Sequence, residues 1–182
     1  MDPKLKPISP DSIAAALAKA ELYRYLNEPE EAESICHDIL AIEPESQAAL
    51  RLIGLTITDE FKGQPTDRYA EAESTFQKLT DPYERSYCMG LLFERRGKAQ
   101  LRAGHTPQAL VPLFEEAMRY FAEAEKIRPH ANDESILRWN RCVRLLQTIV
   151  GGAPQEEVAF DAGDSPPVSG GSTSRRKEVR AG

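Results

Sequence analysis

Small residues recur in this chain at a fixed interval, and a turn punctuates each recurrence. Ala20 is followed twelve residues later by Ala32 and twelve later again by Pro44, with the turn Asn27-Glu28-Pro29 between the two alanines. Gly97 and Ala109 repeat the twelve-residue interval around Gly104, Thr106 and Pro107. A small residue in the middle of one helix and another near the start of the next lets two antiparallel helices approach closely. A proline beyond the second helix stops it. Apolar residues elsewhere follow the 3.6-residue period, and no convincing alternating segment points to a strand. The expectation is an all-α chain built from helical hairpins.

Taken together, Ala20, Tyr23, Ala32 and Pro44 resemble the small, aromatic, small and terminal-proline positions of the tetratricopeptide repeat family, whose unit is a helix-turn-helix of about 34 residues. A second unit starts near Gln47: Ile53-Gly54 is similar to the family's Leu-Gly pair, and Ala72 with Phe76 to its second helix. The eighteen residues from Gly54 to Ala72 imply about six inserted in the turn. The third unit holds Gly97, Gly104 and Ala109 in register, but its terminal proline, Pro129, comes eight residues late. The resemblance covers roughly residues 11–130. It implies a right-handed stack of about three helix-turn-helix units plus a C-terminal capping helix.

The late proline predicts long helices over 83–103 and 107–127, with Pro112 as a kink near the start of the second. Tyr83, Tyr87 and Leu91 on one and Met118, Phe121 and Ala124 or Ala122 on the other form facing apolar stripes, and the pair is expected to protrude as an arm. Beyond it, Asn132-Asp133-Glu134-Ser135 offers a capped helix start. Ile136, Trp139, Val143 and Leu146 read as the core side of that helix, with Arg138, Arg141 and Arg144 outside, closing the open face of the last repeat.

Hydrophobic residues make up 41% of the 182, enough for one domain over 11–150 between a polar segment 1–10 and a Gly, Pro, Ser and charge-rich tail 151–182 expected to be flexible. A net charge of −6 argues against nucleic acid or anionic membrane as partners. With no apolar leader and no run of eighteen apolar residues, a cytoplasmic location is expected. Cys36, Cys88 and Cys142 are odd in number and widely spaced, so reduced, buried thiols are expected.

Chemistry-bearing patterns are scarce. His37, His105 and His130 are far apart and lack zinc-ligand spacing. Paired carboxylates such as Glu30-Glu31 and Glu115-Glu116 read as solvated faces, and neither Gly151-Gly152 nor Gly170-Gly171 has the context of a phosphate-binding loop. No catalytic residue, metal or cofactor is assigned. The resemblance instead implies a non-catalytic interaction module, an adaptor, scaffold or assembly factor, whose first helices line a concave groove for a partner peptide or helix. Helical spacing assigns to that groove Leu17, Glu21, Arg24 and Tyr25 from the first unit, and Arg51, Leu55, Thr58 and Asp59 from the second. Glu94, Lys98, Leu101 and Arg102 come from the third. Four basic residues against three acidic suggest an acidic or carboxylate-bearing peptide. Leu17 and Glu21 stand where a chaperone carboxylate clamp would need cations, which argues against that subclass. The acidic-apolar stretch 155–164 is a candidate pseudo-ligand for the groove. The competing expectation is an accessory subunit that binds a small anion through Arg24, Arg51, Lys98 or Arg102.

Overall fold

Seven α-helices and no strand make up residues 3–151, the part of the chain that the computed structural model describes. After a 3-10 turn at Pro10–Ser12 come α1 (Ile13–Tyr25), α2 (Pro29–Ile42), α3 (Gln47–Asp59) and α4 (Tyr69–Gln77). They are followed by α5 (Pro82–Arg102), α6 (Pro107–Lys126) and α7 (Glu134–Val150). Prolines open α2, α5 and α6, where their missing N–H would be unbonded in any case. Asp81 caps α5 by accepting a 2.8 Å bond from the Glu84 N–H. Asn27 at φ 58° and Gly104 at φ 86° turn the chain out of α1 and α5 through the left-handed region. Each helix packs on the one before it, and α1 also touches α3, and α3 touches α5.

Phenylalanine rings seated on glycines hold the hairpins together. A β-carbon at Gly54 would lie 2.3 Å from the Phe76 ring, one at Gly90 2.5 Å from Phe121, and one at Gly97 2.7 Å from Phe114. All three rings are completely buried, and burial of each stabilises the fold by about 1.5–3 kcal/mol. Ala20, Ala32 and Ala72 are likewise fully buried. Ala109 departs from its expected place: it is exposed, and Leu110 is the buried residue in that turn. The long α6 therefore meets α5 through Leu110, Phe114, Ala117, Phe121 and Ala124, a stripe shifted by one position from the family-like register. Helix α6 runs unbroken through Pro112, which is exposed in its second turn, where one lost hydrogen bond does not end the helix.

The expected insertion between the helices of the second pair is a loop over 60–68. Its backbone is satisfied by the Asp67 carboxylate, which accepts from the N–H groups of Lys62, Gly63 and Gln64 at 2.8–3.1 Å. Phe61 anchors it in the core.

The expected protruding arm is not what the helices form. Tyr83 and Tyr87, in the extension of α5, are buried, and their hydroxyls donate to Asn132 and Glu134 at 3.1 and 3.0 Å. On the other flank Glu84 accepts from Arg51 of α3 at 2.8 Å. The extension is thus sandwiched between α3 and the start of α7. Helix α7 itself is turned by about 100° from the expected orientation, one residue's rotation: Ser135, Arg138, Cys142, Leu145 and Ile149 are buried, and Trp139 is 36% exposed. The segment 152–182, which holds almost all of the expected tail, lies outside the described residues.

Candidate interaction surface

Three alternate helices are tied together where the groove was expected. Arg24 of α1 donates through Nε to Asp59 Oδ2 of α3 at 2.5 Å, and Arg95 Nη1 of α5 lies 2.7 Å from Asp59 Oδ1. The same Nη1 donates to Thr58 Oγ1 at 2.5 Å and to the Leu55 carbonyl at 3.1 Å. Asp59 therefore sits between two guanidinium groups whose side chains are only 15% exposed. This arrangement covers Leu55, which is 1% exposed although it lies one turn along the same face.

The structure distributes the twelve expected groove residues unevenly. Leu55, Thr58, Glu94, Lys98 and Leu101 are buried; Leu17, Arg24 and Arg51 are half-buried; Glu21, Tyr25, Asp59 and Arg102 are exposed. Arg24, Leu55, Thr58 and Asp59 do come together, as a structural tie with Arg95, which sequence spacing had not singled out. Arg51 joins Glu84 instead. Five of the twelve are buried and cannot line an open surface. The anion site suggested by Arg24, Arg51 and Lys98 loses its counter-charges to Asp59, Glu84 and Glu94. A depression at the turn between α2 and α3, lined by Glu43, Pro44, Glu45 and Ser46, carries carboxylates, the wrong sign for an anion.

Glu94 and Lys98 turn away from the groove toward α7. Glu94 is fully buried, with Lys98 Nζ 2.6 Å and Arg138 Nη1 3.7 Å from its Oε1. Its Oε2 and the Ser135 hydroxyl make no hydrogen bond among the described residues. Cys142 adjoins this cluster, and burial first, then the Glu94 charge, pushes its thiol up to about 12. Cys36 is raised to about 12 as well, by burial and then by Glu33. Both thiols are fully buried, so neither is presented to solvent.

A second charged knot lies on the outside. Arg68 at the start of α4 holds Glu33 of α2 through two bonds of 2.7 and 2.6 Å and Glu71 through two more. The Arg68 hydrogen bonds keep the Glu33 and Glu71 carboxyls below their usual range. Desolvation, with Glu33 nearby, pushes Glu60 above it.

The rotation of α7 leaves a surface that the sequence reading had assigned to the core. Ile136, Trp139, Val143, Leu146 and Val150 follow one another at intervals of three and four, a continuous apolar stripe beside the buried one. Leu146 packs partly against the core. Ile136 and Val143 are half-buried, Trp139 is 36% and Val150 65% exposed. Arg144, about 100° around the helix from Val143, lies off the stripe, and like Arg141 it has no ion-pair partner among the described residues. The spacing was visible in the sequence, but which of α7's two faces would be buried was not.

No group of three His, Cys, Asp or Glu among the described residues is placed to hold a metal ion. No helix among them is long and apolar enough to cross a membrane. No protein-family model, curated protein or solved structure matches the chain.

Proposed function

We infer that this protein is a non-catalytic interaction module of the tetratricopeptide type, in which three helix-turn-helix units and a terminal helix present an apolar face to a partner helix. The glycine-seated phenylalanines, the left-handed turns at Asn27 and Gly104, and the contacts linking α1 to α3 and α3 to α5 support the repeat reading. The single observation that carries the function is the apolar stripe on α7. A stripe at intervals of three and four fits the matching stripe of an amphipathic helix. A partly exposed tryptophan within it, Trp139, supplies the kind of rigid aromatic anchor that dominates binding energy. The first-helix face, whose cations are tied up internally, is the poorer candidate for an acidic peptide.

The test is affinity purification of the full chain from its host in four forms: wild type, Trp139→Ser, Val150→Glu and Tyr25→Glu. Val150 is at the exposed end of a helix, so its substitution leaves the core intact. A protein recovered with wild type and lost with both α7 variants, whose addition shifts Trp139 emission to the blue, supports the reading. A partner retained by both α7 variants but lost with Tyr25→Glu would move the docking face to α1 and overturn it.

A further inference from the structure

Helix α7 buries the more polar of its two faces and shows solvent the more apolar one. Arg138 is only 8% exposed, and the Ser135 hydroxyl beside it is fully buried without a hydrogen bond among the described residues. Trp139 and Val150 are outside, with Ile136 and Val143 half-buried. Burial of apolar surface is favourable, whereas burial of an arginine is costly unless an opposite charge meets it. Taken alone, the helix would turn the other way. What reverses the preference is a carboxylate on α5: Glu94 is fully buried, with Lys98 Nζ 2.6 Å and Arg138 Nη1 3.7 Å from its Oε1.

We propose that α7 has two positions related by a roll of about 100° around its own axis, one residue's rotation, and that the charge of Glu94 selects the observed one. In the second position Trp139, Val143 and Val150 turn into the core, and Arg138 turns out to water. Leu145 and Ile149 leave the core in exchange, so apolar burial is kept while the buried cation is released. Cys142, now near the middle of the buried face, moves to its edge. A local preference opposed to the global packing is the mark of an element with two competing states.

The surroundings of α7 permit the roll. It packs chiefly along α6. Toward α5 it reaches with side chains, Arg138 to Glu94 and Glu134 to the Tyr87 hydroxyl at 3.0 Å, and such contacts can be remade without moving the helix axis. The non-helical connection over 127–133 is free to absorb the change in backbone angles, as hinge segments do. Packed helices shift between discrete arrangements, so two positions are expected and not a spread. The stripe that carries Trp139 is presented in one position and withdrawn in the other. Loss of the Glu94 charge therefore closes that surface.

Trp139 is the sole tryptophan, so its emission reports its burial without labelling. The experiment compares three full-length proteins: wild type, Glu94→Gln/Lys98→Met and Glu94→Gln/Arg138→Leu. Each variant replaces a cation of the cluster by an apolar chain of similar length, and far-UV circular dichroism checks the fold. The first keeps Arg138 as the driver of the roll, the second removes it. In Glu94→Gln/Lys98→Met the emission should shift to the blue, acrylamide quenching should fall, and iodoacetamide should reach Cys142 while Cys36 and Cys88 stay protected. Glu94→Gln/Arg138→Leu should match wild type in all three readings. Equal emission and equal Cys142 protection in the two variants overturn the proposal. Joint exposure of Trp139 and Cys142 in Glu94→Gln/Lys98→Met shows that α7 detaches instead of rolling, and overturns it too. The roll concerns the free protein and does not rest on the docking reading, which stands or falls on the purification with Trp139→Ser and Val150→Glu.

Discussion

Gly90 of α5 lies under the ring of Phe121 of α6 so closely that a single methyl group cannot be added between them: the new carbon would stand 2.5 Å from Cε1. Phe121 is fully buried and cannot swing into solvent. Gly90→Ala is therefore expected to destabilise the protein by about 1–3 kcal/mol through overpacking, despite the roughly 1 kcal/mol that alanine gains over glycine in helix propensity. Urea titration checks it. Pairing Gly90→Ala with Phe121→Leu should cost clearly less than the sum of the single changes, because the two residues share one space.

Asp59 keeps two guanidinium groups together at the junction of α1, α3 and α5. Asp59→Ala leaves Arg24 and Arg95 facing each other and is expected to cost about 1–3 kcal/mol, more at low salt than at high. Adding Arg24→Met should recover part of the loss. A double-mutant cycle showing no coupling between positions 24 and 59 would contradict the tie.

The buried carboxylate between α5 and α7 has a different signature. Glu94→Ala removes the buried carboxylate beside Lys98 and Arg138, both nearly buried, and breaking a buried pair in this way costs about 3–5 kcal/mol. The loss should be local first. Hydrogen exchange in α7 is expected to accelerate while α2 and α3 keep their protection; uniform acceleration would show that the cluster does not specifically hold α7.

Acid sensitivity should map to Arg68. Glu33 and Glu71 are held below their usual value of 4.5 by its hydrogen bonds, so the stability they contribute is fully present above that pH and is lost as pH falls through their lowered values. Glu60 acts in the opposite sense: its raised value favours the protonated form in the folded protein and subtracts stability as pH rises past 4.5. Replacement of Arg68 by methionine is expected to flatten the fall in stability below pH 4.5, measured by urea titration at several pH values.

Much of the architecture follows from punctuation and small residues. Pro29, Pro82, Pro107, Asn27 and Gly104 mark ends that any chain with these backbone constraints must respect, and Gly54 and Gly97 mark where helices meet. What escaped sequence reading was decided between helices rather than within them. Ala109 and Leu110 both satisfy a helical period, and only the rings of Phe114 and Phe121, seven residues apart like their partner glycines, select the register that buries Leu110. Helix α7 carries one apolar stripe, Ile136 to Val150, and one mixed face of Ser135, Arg138, Cys142, Leu145 and Ile149. The one carrying Arg138 and Cys142 is buried because α5 offers Glu94 as a partner for that arginine, and a lone helix gives no sign of such a partner. The same blindness affected the groove, where Arg95 went unnoticed and Lys98 was placed on the wrong side.

Because α5 is enclosed by α3, α4, α6 and the start of α7, it has no free flank from which to peel. Linear arrays of repeats ordinarily lose their ends one unit at a time, each unit depending only on its neighbours. Here α5 is mortised between α3, α4, α6 and the start of α7, so opening the C-terminal helices withdraws support from this central rod. Urea denaturation of 3–151 is accordingly expected as one concerted transition rather than a stepwise loss of terminal hairpins.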